Sequence, residues 1–188
     1  MTAVVRIDDH DFAPALLTGE EVPAMTRAGV LPEGRGYELV EGVLIHVAAQ
    51  YSSHVWMVRK LLRKLGRMLR EDVAVAPAPS IFLSAGNMLE PDICLYPDHM
   101  ESLQVRGPDI HLIIEVSDTT LRNDLGKKAK IYAVHGVSHY WVVDVTGERL
   151  HRHAEPGEDG YANRVESGFG EAVALPVEGS PAIVLADP

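Results

Sequence analysis

The sequence contains one cysteine, Cys94, in 188 residues. That excludes a disulfide framework and any cysteine-rich zinc module. A lone thiol suits a reducing compartment, so a cytoplasmic location is the expectation. Long apolar runs are missing as well. No window approaches the roughly 18 consecutive apolar residues of a membrane span, and no membrane association is expected. The stretch Met1–Pro14 carries Asp8, Asp9 and Asp11 and lacks the basic-then-apolar order of a secretory signal. Basic residues are scarce: 17 Lys+Arg stand against 27 Asp+Glu, a formal net charge of −10. Surplus acid repels nucleic acid on average, which excludes a generic DNA-coating role. There is no Walker A lysine motif and no GxGxxG fingerprint; Gly34-Arg35-Gly36 is too short for either. Internal repeats and low-complexity tracts are also absent.

What is present fits one α/β domain spanning residues 1–188, with 46% hydrophobic residues to build a core. Thr18-Gly19-Glu20-Glu21 reads as a capping box, with Thr18 as N-cap of a short helix that ends near Ala28 at Gly29. Tyr37–Val40 and Val43–Val47 flank Glu41-Gly42 as a hairpin. Residues 51–70 form the clearest helix, with Val55, Val58, Leu62, Leu65 and Leu69 as its apolar stripe. Short strands follow at Val73–Ala76, Ile81–Leu83 and Ile93–Tyr96. The β-branched run Ile110–Val116 suits a buried central strand. A second helix is predicted from Asn123 to about His135, then strands at Tyr140–Val145 and Arg149–His153. The tail from Glu155 on is expected to add edge strands. This order argues a mixed sheet flanked by helices.

Two carboxylates sit at the edges of strand-like runs: Asp92 opens Ile93–Tyr96, and Glu115 nearly ends Ile110–Val116. Paired on neighbouring strands, they offer hard oxygen ligands for Mg²⁺ or Mn²⁺. The plainer alternative is that Asp92 caps a turn and Glu115 meets an arginine. Lys128 shares a helical face with Leu125, Ile131 and Tyr132, so it could reach over the Glu115 strand or simply snorkel to water. Ser117 points to the same side of its strand as Glu115, but its plainer role is to open the Ser117-Asp118-Thr119-Thr120 turn. His54 opens the long helix near its apolar side, and a structural histidine is its default role. Residues 51–70 hold six Lys/Arg and no Asp/Glu. Arg59, Arg63 and Arg67 in that stripe are either a solvated face or a phosphate-contacting surface.

Short segments in a specific order carry a resemblance. They are Gly29–Glu33, Tyr37–Gly42, Glu90-Pro91-Asp92, Leu112–Thr120, Asp124–Lys128, Tyr132 and Gly136–Asp144. Together they resemble the Uma2 family (DUF820) of restriction-endonuclease-like proteins, in the PD-(D/E)XK nuclease superfamily, from roughly Leu17 to Val145. The resemblance implies a nuclease-type core and a metal-dependent endonuclease acting on DNA. Asp92 matches the motif's Asp and Glu115 its second carboxylate. The position two residues after Glu115, where the motif places lysine, is Ser117. Lys128 matches a lysine carried on the following helix in similar family members. Glu41 and His54 match further polar positions of the family. On this basis Asp92, Glu115 and the Val116 carbonyl are expected to hold Mg²⁺ (or Mn²⁺), with Lys128 at the phosphate. A homodimer is expected by analogy with nucleases of this fold. The alternatives are a catalytically inactive binding or assembly module of the same fold, and a hydrolase of a smaller phosphate ester.

Overall fold

A computed structural model describes residues 15–32, 36–47 and 51–186. The N-terminal stretch to Pro14 and most of the Pro32–Gly36 loop lie outside them. Six strands form a mixed sheet: β3 (Val73–Pro77), β6 (Ile93–Pro97), β7 (Leu112–Ser117), β8 (His139–Asp144), β9 (Arg149–Gly157) and β10 (Gly160–Gly168). Their order across the sheet is β10-β9-β8-β7-β6-β3. β7 and β8 run parallel; the other neighbours are antiparallel. The parallel pair needs a crossover, and residues 121–134 provide it. That segment is one continuous helical run: α3 (Leu121–Asn123), a π turn (Asp124–Lys128) and α4 (Ala129–Val134).

β7 is buried along its whole length, as its β-branched composition predicts. Its side chains alternate between two cores. Leu112, Ile114 and Val116 pack with Met57, Leu61 and Leu65 of α2 (Ser52–Met68). Ile113 packs on the opposite face with Ala129, Ile131 and Tyr132 of the crossover helix. Glu115 and Ser117 share that second face by the same alternation.

A second sheet joins β1 (Tyr37–Val40), β2 (Val43–His46), β4 (Ile81–Ser84) and β5 (Asn87–Leu89), in the order β2-β1-β5-β4. Glu41 (φ 52°) and Gly42 (φ 78°) close its hairpin in the left-handed region, as a two-residue primed turn requires. α1 (Glu21–Arg27) packs Val22 on Leu39 and Met88 of this sheet. Thr18 donates both its N–H and its hydroxyl to Glu21 Oε2, at 2.7 and 2.9 Å. The glutamate half of the capping box forms, and the helix starts at Glu21.

Three differences from the sequence reading have physical causes. The buried stripe of α2 is His54, Met57, Leu61 and Leu65, while Val55 is exposed. Leucine is plentiful on two faces of this helix, so apolar spacing alone allowed a phase about one residue off. The short β5 was not anticipated, because a three-residue strand carries too little alternation to read. The tail contributes the long β10 hairpin, whose exposed polar residues mask its period, while β11 (Val173–Ala174) and β12 (Ala182–Ile183) form a separate two-stranded pair. Among the described residues no helix is long and apolar enough to cross a membrane.

Candidate active site

The register of the central sheet places the first two carboxylates. Ile93 pairs with Ile114, so Asp92, just before β6, lies across from Glu115. Residues directly opposite on antiparallel strands present side chains to the same face. The Asp92 carboxylate then folds onto the strand: its Oδ2 accepts the Val116 N–H at 2.7 Å. The same oxygen contacts His54 Nε2 at 2.9 Å. His54 comes from the first turn of α2 and reaches Asp92 around the strand end. An ionised carboxylate can only accept, so Nε2 carries the proton in this bond.

Glu115 is buried and takes two donors on Oε1. These are Lys128 Nζ and the Tyr132 hydroxyl, both at 3.0 Å. Lys128 also donates to Glu38 Oε1 at 2.8 Å. Glu38 lies on β1, in the second sheet, and its Oε1 further accepts the Glu90 N–H at 3.2 Å. One ammonium therefore bridges a carboxylate from each sheet. Lys128 ends a π turn that begins at Asp124, the residue tied to β7 through Ser117.

These side chains line one cleft of about 260 Å³. Its wall carries six carboxylates, Glu38, Glu90, Asp92, Glu115, Asp118 and Asp124, and a single lysine, Lys128. Burial sets the proton affinities of two of these carboxyls. Burial pushes Glu115 up to about 8, against the pull of Lys128 and with a further push from Asp92. Burial works against the charge on Lys128, but Glu115 and Glu38 hold its ammonium well above the ordinary lysine value. Glu90 is also raised, chiefly by burial and in opposition to its Ser80 hydrogen bond. Lys128 is shared by Glu115 and Glu38, while Asp92 and Asp124 take hydrogen bonds from His54, the Val116 N–H, Ser117 and Thr120.

Among the described residues no three His, Cys, Asp or Glu side chains are gathered into a metal cage. The donor set still fits Mg²⁺ or Mn²⁺. Such ions are commonly held by one or two carboxylates, with waters and substrate oxygens completing the shell. Val145 N–H bonds to Ser117 O across the parallel pair. Backbone groups of alternate β7 residues thus face β8, and those of Val116 face the Asp92 side.

The remaining sequence candidates fall as follows. Ser117 is fully buried, and its hydroxyl donates to Asp124 Oδ2 at 2.6 Å. It anchors the π turn to β7 and does not line the cleft. Glu41 stands outside the cleft in the exposed hairpin turn, paired with Lys127 at 2.9 Å. The hairpin's glutamate inside the cleft is Glu38, which the sequence reading passed over. Its signal was present: Glu38 is the one charged residue within the strand Tyr37–Val40. Arg59, Arg63 and Arg67 lie together on the exposed side of α2, away from the cleft wall.

A mixed sheet flanked by helices, with carboxylates at the adjoining ends of two neighbouring strands, defines a restriction-endonuclease-like α/β fold. The chain belongs to the Uma2 family, described as "Putative restriction endonuclease", which matches residues 20–182. A similar solved structure is a crystal structure described as a putative nuclease belonging to DUF820 from Anabaena variabilis ATCC 29413. It has 13% identity and a TM-score of 0.63, covering 80% of this chain and 88% of that one. No curated protein matches the chain.

Proposed function

We propose that the cleft hydrolyses DNA phosphodiester bonds with the help of one divalent ion, Mg²⁺ or Mn²⁺. The observation that carries this reading is the position of Lys128. It stands two carboxylates deep in the cleft, 3.0 Å from Glu115, although it comes from the crossover helix. An ammonium there is placed to stabilise negative charge developing on a phosphate. Asp92, Glu115 and the Val116 carbonyl would hold the ion. Once bound, the ion would polarise the phosphate and acidify a water.

The chain's own groups do the positioning. Tyr132 and Lys128 fix one oxygen of Glu115. His54 and the Val116 N–H fix one oxygen of Asp92. Glu38 shares the lysine and so sets where its ammonium points. The chain is read as one domain built around this cleft.

Cleavage of plasmid and of circular single-stranded DNA with Mg²⁺ or Mn²⁺ tests the reading, with Asp92→Ala as the control and thermal melting to confirm that both proteins fold. Cleavage by the wild type and its loss in Asp92→Ala is the expected result. Equal activity in the two overturns the reading, and none in either overturns it in favour of an inert module of the same fold. A second reading, hydrolysis of a smaller phosphate ester, draws on the small cleft volume. Activity on bis(p-nitrophenyl) phosphate with none on any polynucleotide would select it.

A further inference from the structure

The outer face of α2 has no role in the cleft chemistry, yet it is unusual in two ways. First, Trp56 is 44% exposed. Exposing an indole forgoes one of the largest apolar burials available to a side chain. Second, Trp56, Arg59, Arg63 and Arg67 follow one another at spacings of three and four, so they form a single stripe. Among the described residues none of these three arginines has a carboxylate partner. In a chain with 27 acidic residues, three neighbouring arginines without one form a locally positive surface.

The indole is also held in place. Lys60 is buried, and its ammonium lies 4.8 Å from the centre of the Trp56 ring. That contact orients the ring and leaves the rest of it to solvent. At the cleft end of the same helix, Tyr51 and Ile45 line the cleft and are themselves exposed, at 62% and 41%.

We propose that this face is a track for single-stranded nucleic acid that runs along the outside of α2 and meets the cleft only at the Tyr51 end of the helix. Trp56 stacks on an unpaired base, and Arg59, Arg63 and Arg67 meet the phosphates that follow. The proposal rests on the nuclease reading of the cleft and narrows its substrate to an unpaired strand. Stacking selects for that strand, because bases inside a duplex are already stacked on one another and only an unpaired base offers its face. From His54 to Arg67 the helix rises roughly 20 Å, enough for about four nucleotides, the low end of single-strand site sizes.

The test separates binding from chemistry. Full-length protein in chelator is titrated with a short oligothymidylate and with a duplex of equal length, at low salt. Trp56 fluorescence is expected to be quenched by the single strand, since the other tryptophan, Trp141, is buried. Labelled-oligonucleotide anisotropy then reads the variants. Trp56→Ala should weaken single-strand binding about tenfold, and Trp56→Phe should restore most of it. Arg63→Ala should lower the slope of log affinity against log salt by about 0.7. Tighter binding of the duplex, no quenching, or unchanged affinity in Trp56→Ala overturns the proposal. So does self-association that buries Trp56 and excludes the oligonucleotide. Wild-type hydrolysis of bis(p-nitrophenyl) phosphate with Mn²⁺ is measured alongside. Hydrolysis without strand binding removes the track alone; strand binding without hydrolysis removes the nuclease reading alone.

Discussion

The Lys128 ammonium and the Glu115 carboxylate meet at 3.0 Å, though they lie 13 positions apart in the chain, across strand end, turn and helix. The position two residues after Glu115 is Ser117, and the ammonium beside Glu115 comes from the crossover helix. Ser117 ties the start of that helix to β7 through Asp124.

Removing that lysine should damage stability as well as activity. Lys128→Met leaves Glu115 and Glu38 buried without their cation. Breaking a buried pair from one side costs on the order of 3–5 kcal/mol. Urea unfolding at neutral pH should show a large drop in midpoint, partly recovered in Lys128→Met/Glu38→Gln. An unchanged midpoint in Lys128→Met would show that the pair contributes nothing net.

Divalent ions should stabilise the folded chain independently of any cleavage. At a hundredfold excess over its dissociation constant, an ion bound only by the folded state adds about 2.7 kcal/mol. For a chain of this size that is a rise in Tm of roughly 5–10 °C. Calorimetric melts with Mn²⁺ should show the rise, and chelator should reverse it. Asp92→Asn and Glu115→Gln should melt at the same temperature with and without Mn²⁺.

A second buried group, outside the cleft wall, predicts acid sensitivity. His153 packs against both Tyr140 and Tyr161, with its ring 5.6 Å from each and the two tyrosine rings 6.1 Å apart. Burial, with help from Arg164 and His151, lowers its pKa from 6.5 to about 4. Between those values the unfolded chain binds a proton that the folded chain does not. Stability therefore rises with pH from about 4 to 6.5 and is level above that. The loss on acidification through this window is on the order of 2 kcal/mol. His153→Phe keeps the stack and should flatten that part of the profile in denaturant titrations. A profile identical to wild type would refute the assignment.

Two glycines should respond oppositely to alanine. A Cβ at Gly107 would overlap the backbone carbonyl of His135, and neither backbone can move aside cheaply. Gly107→Ala should cost roughly 1–3 kcal/mol. At Gly66, inside α2, nothing lies within 4 Å of the place a Cβ would take. Gly66→Ala should gain about 1 kcal/mol from helix propensity. Chemical denaturation of both variants decides the matter.

Much of the fold was legible because the decisive elements carry strong periodic signals. β7 is a run of β-branched residues, and the Glu41-Gly42 hairpin has the turn chemistry its geometry demands. Asp92 and Glu115 stand out as charged residues beside apolar runs, whereas Lys128 is singled out by the family resemblance, since its spacing alone equally fits a lysine that snorkels to water. Glu38 was overlooked because Glu41, three residues on, drew attention to an exposed turn. Contacts between sheets leave no mark in local spacing, so nothing in the sequence tied Glu38 to a lysine 90 residues away. The phase of α2 was blurred by leucines on more than one side, and with it the burial of His54 and Lys60. The π turn is likewise silent in sequence, since its residues read as an ordinary helix start.

The lysine bridge has a mechanical meaning. Glu38 belongs to the hairpin sheet and Glu115 to the central sheet, so Lys128 is a clasp across a seam. The cleft lies along that seam and exists only while the two sheets are closed on each other. Anything that pries the hairpin away dismantles the site without touching a strand of the central sheet. Conversely, a ligand that engages both sides of the seam acts as a second clasp.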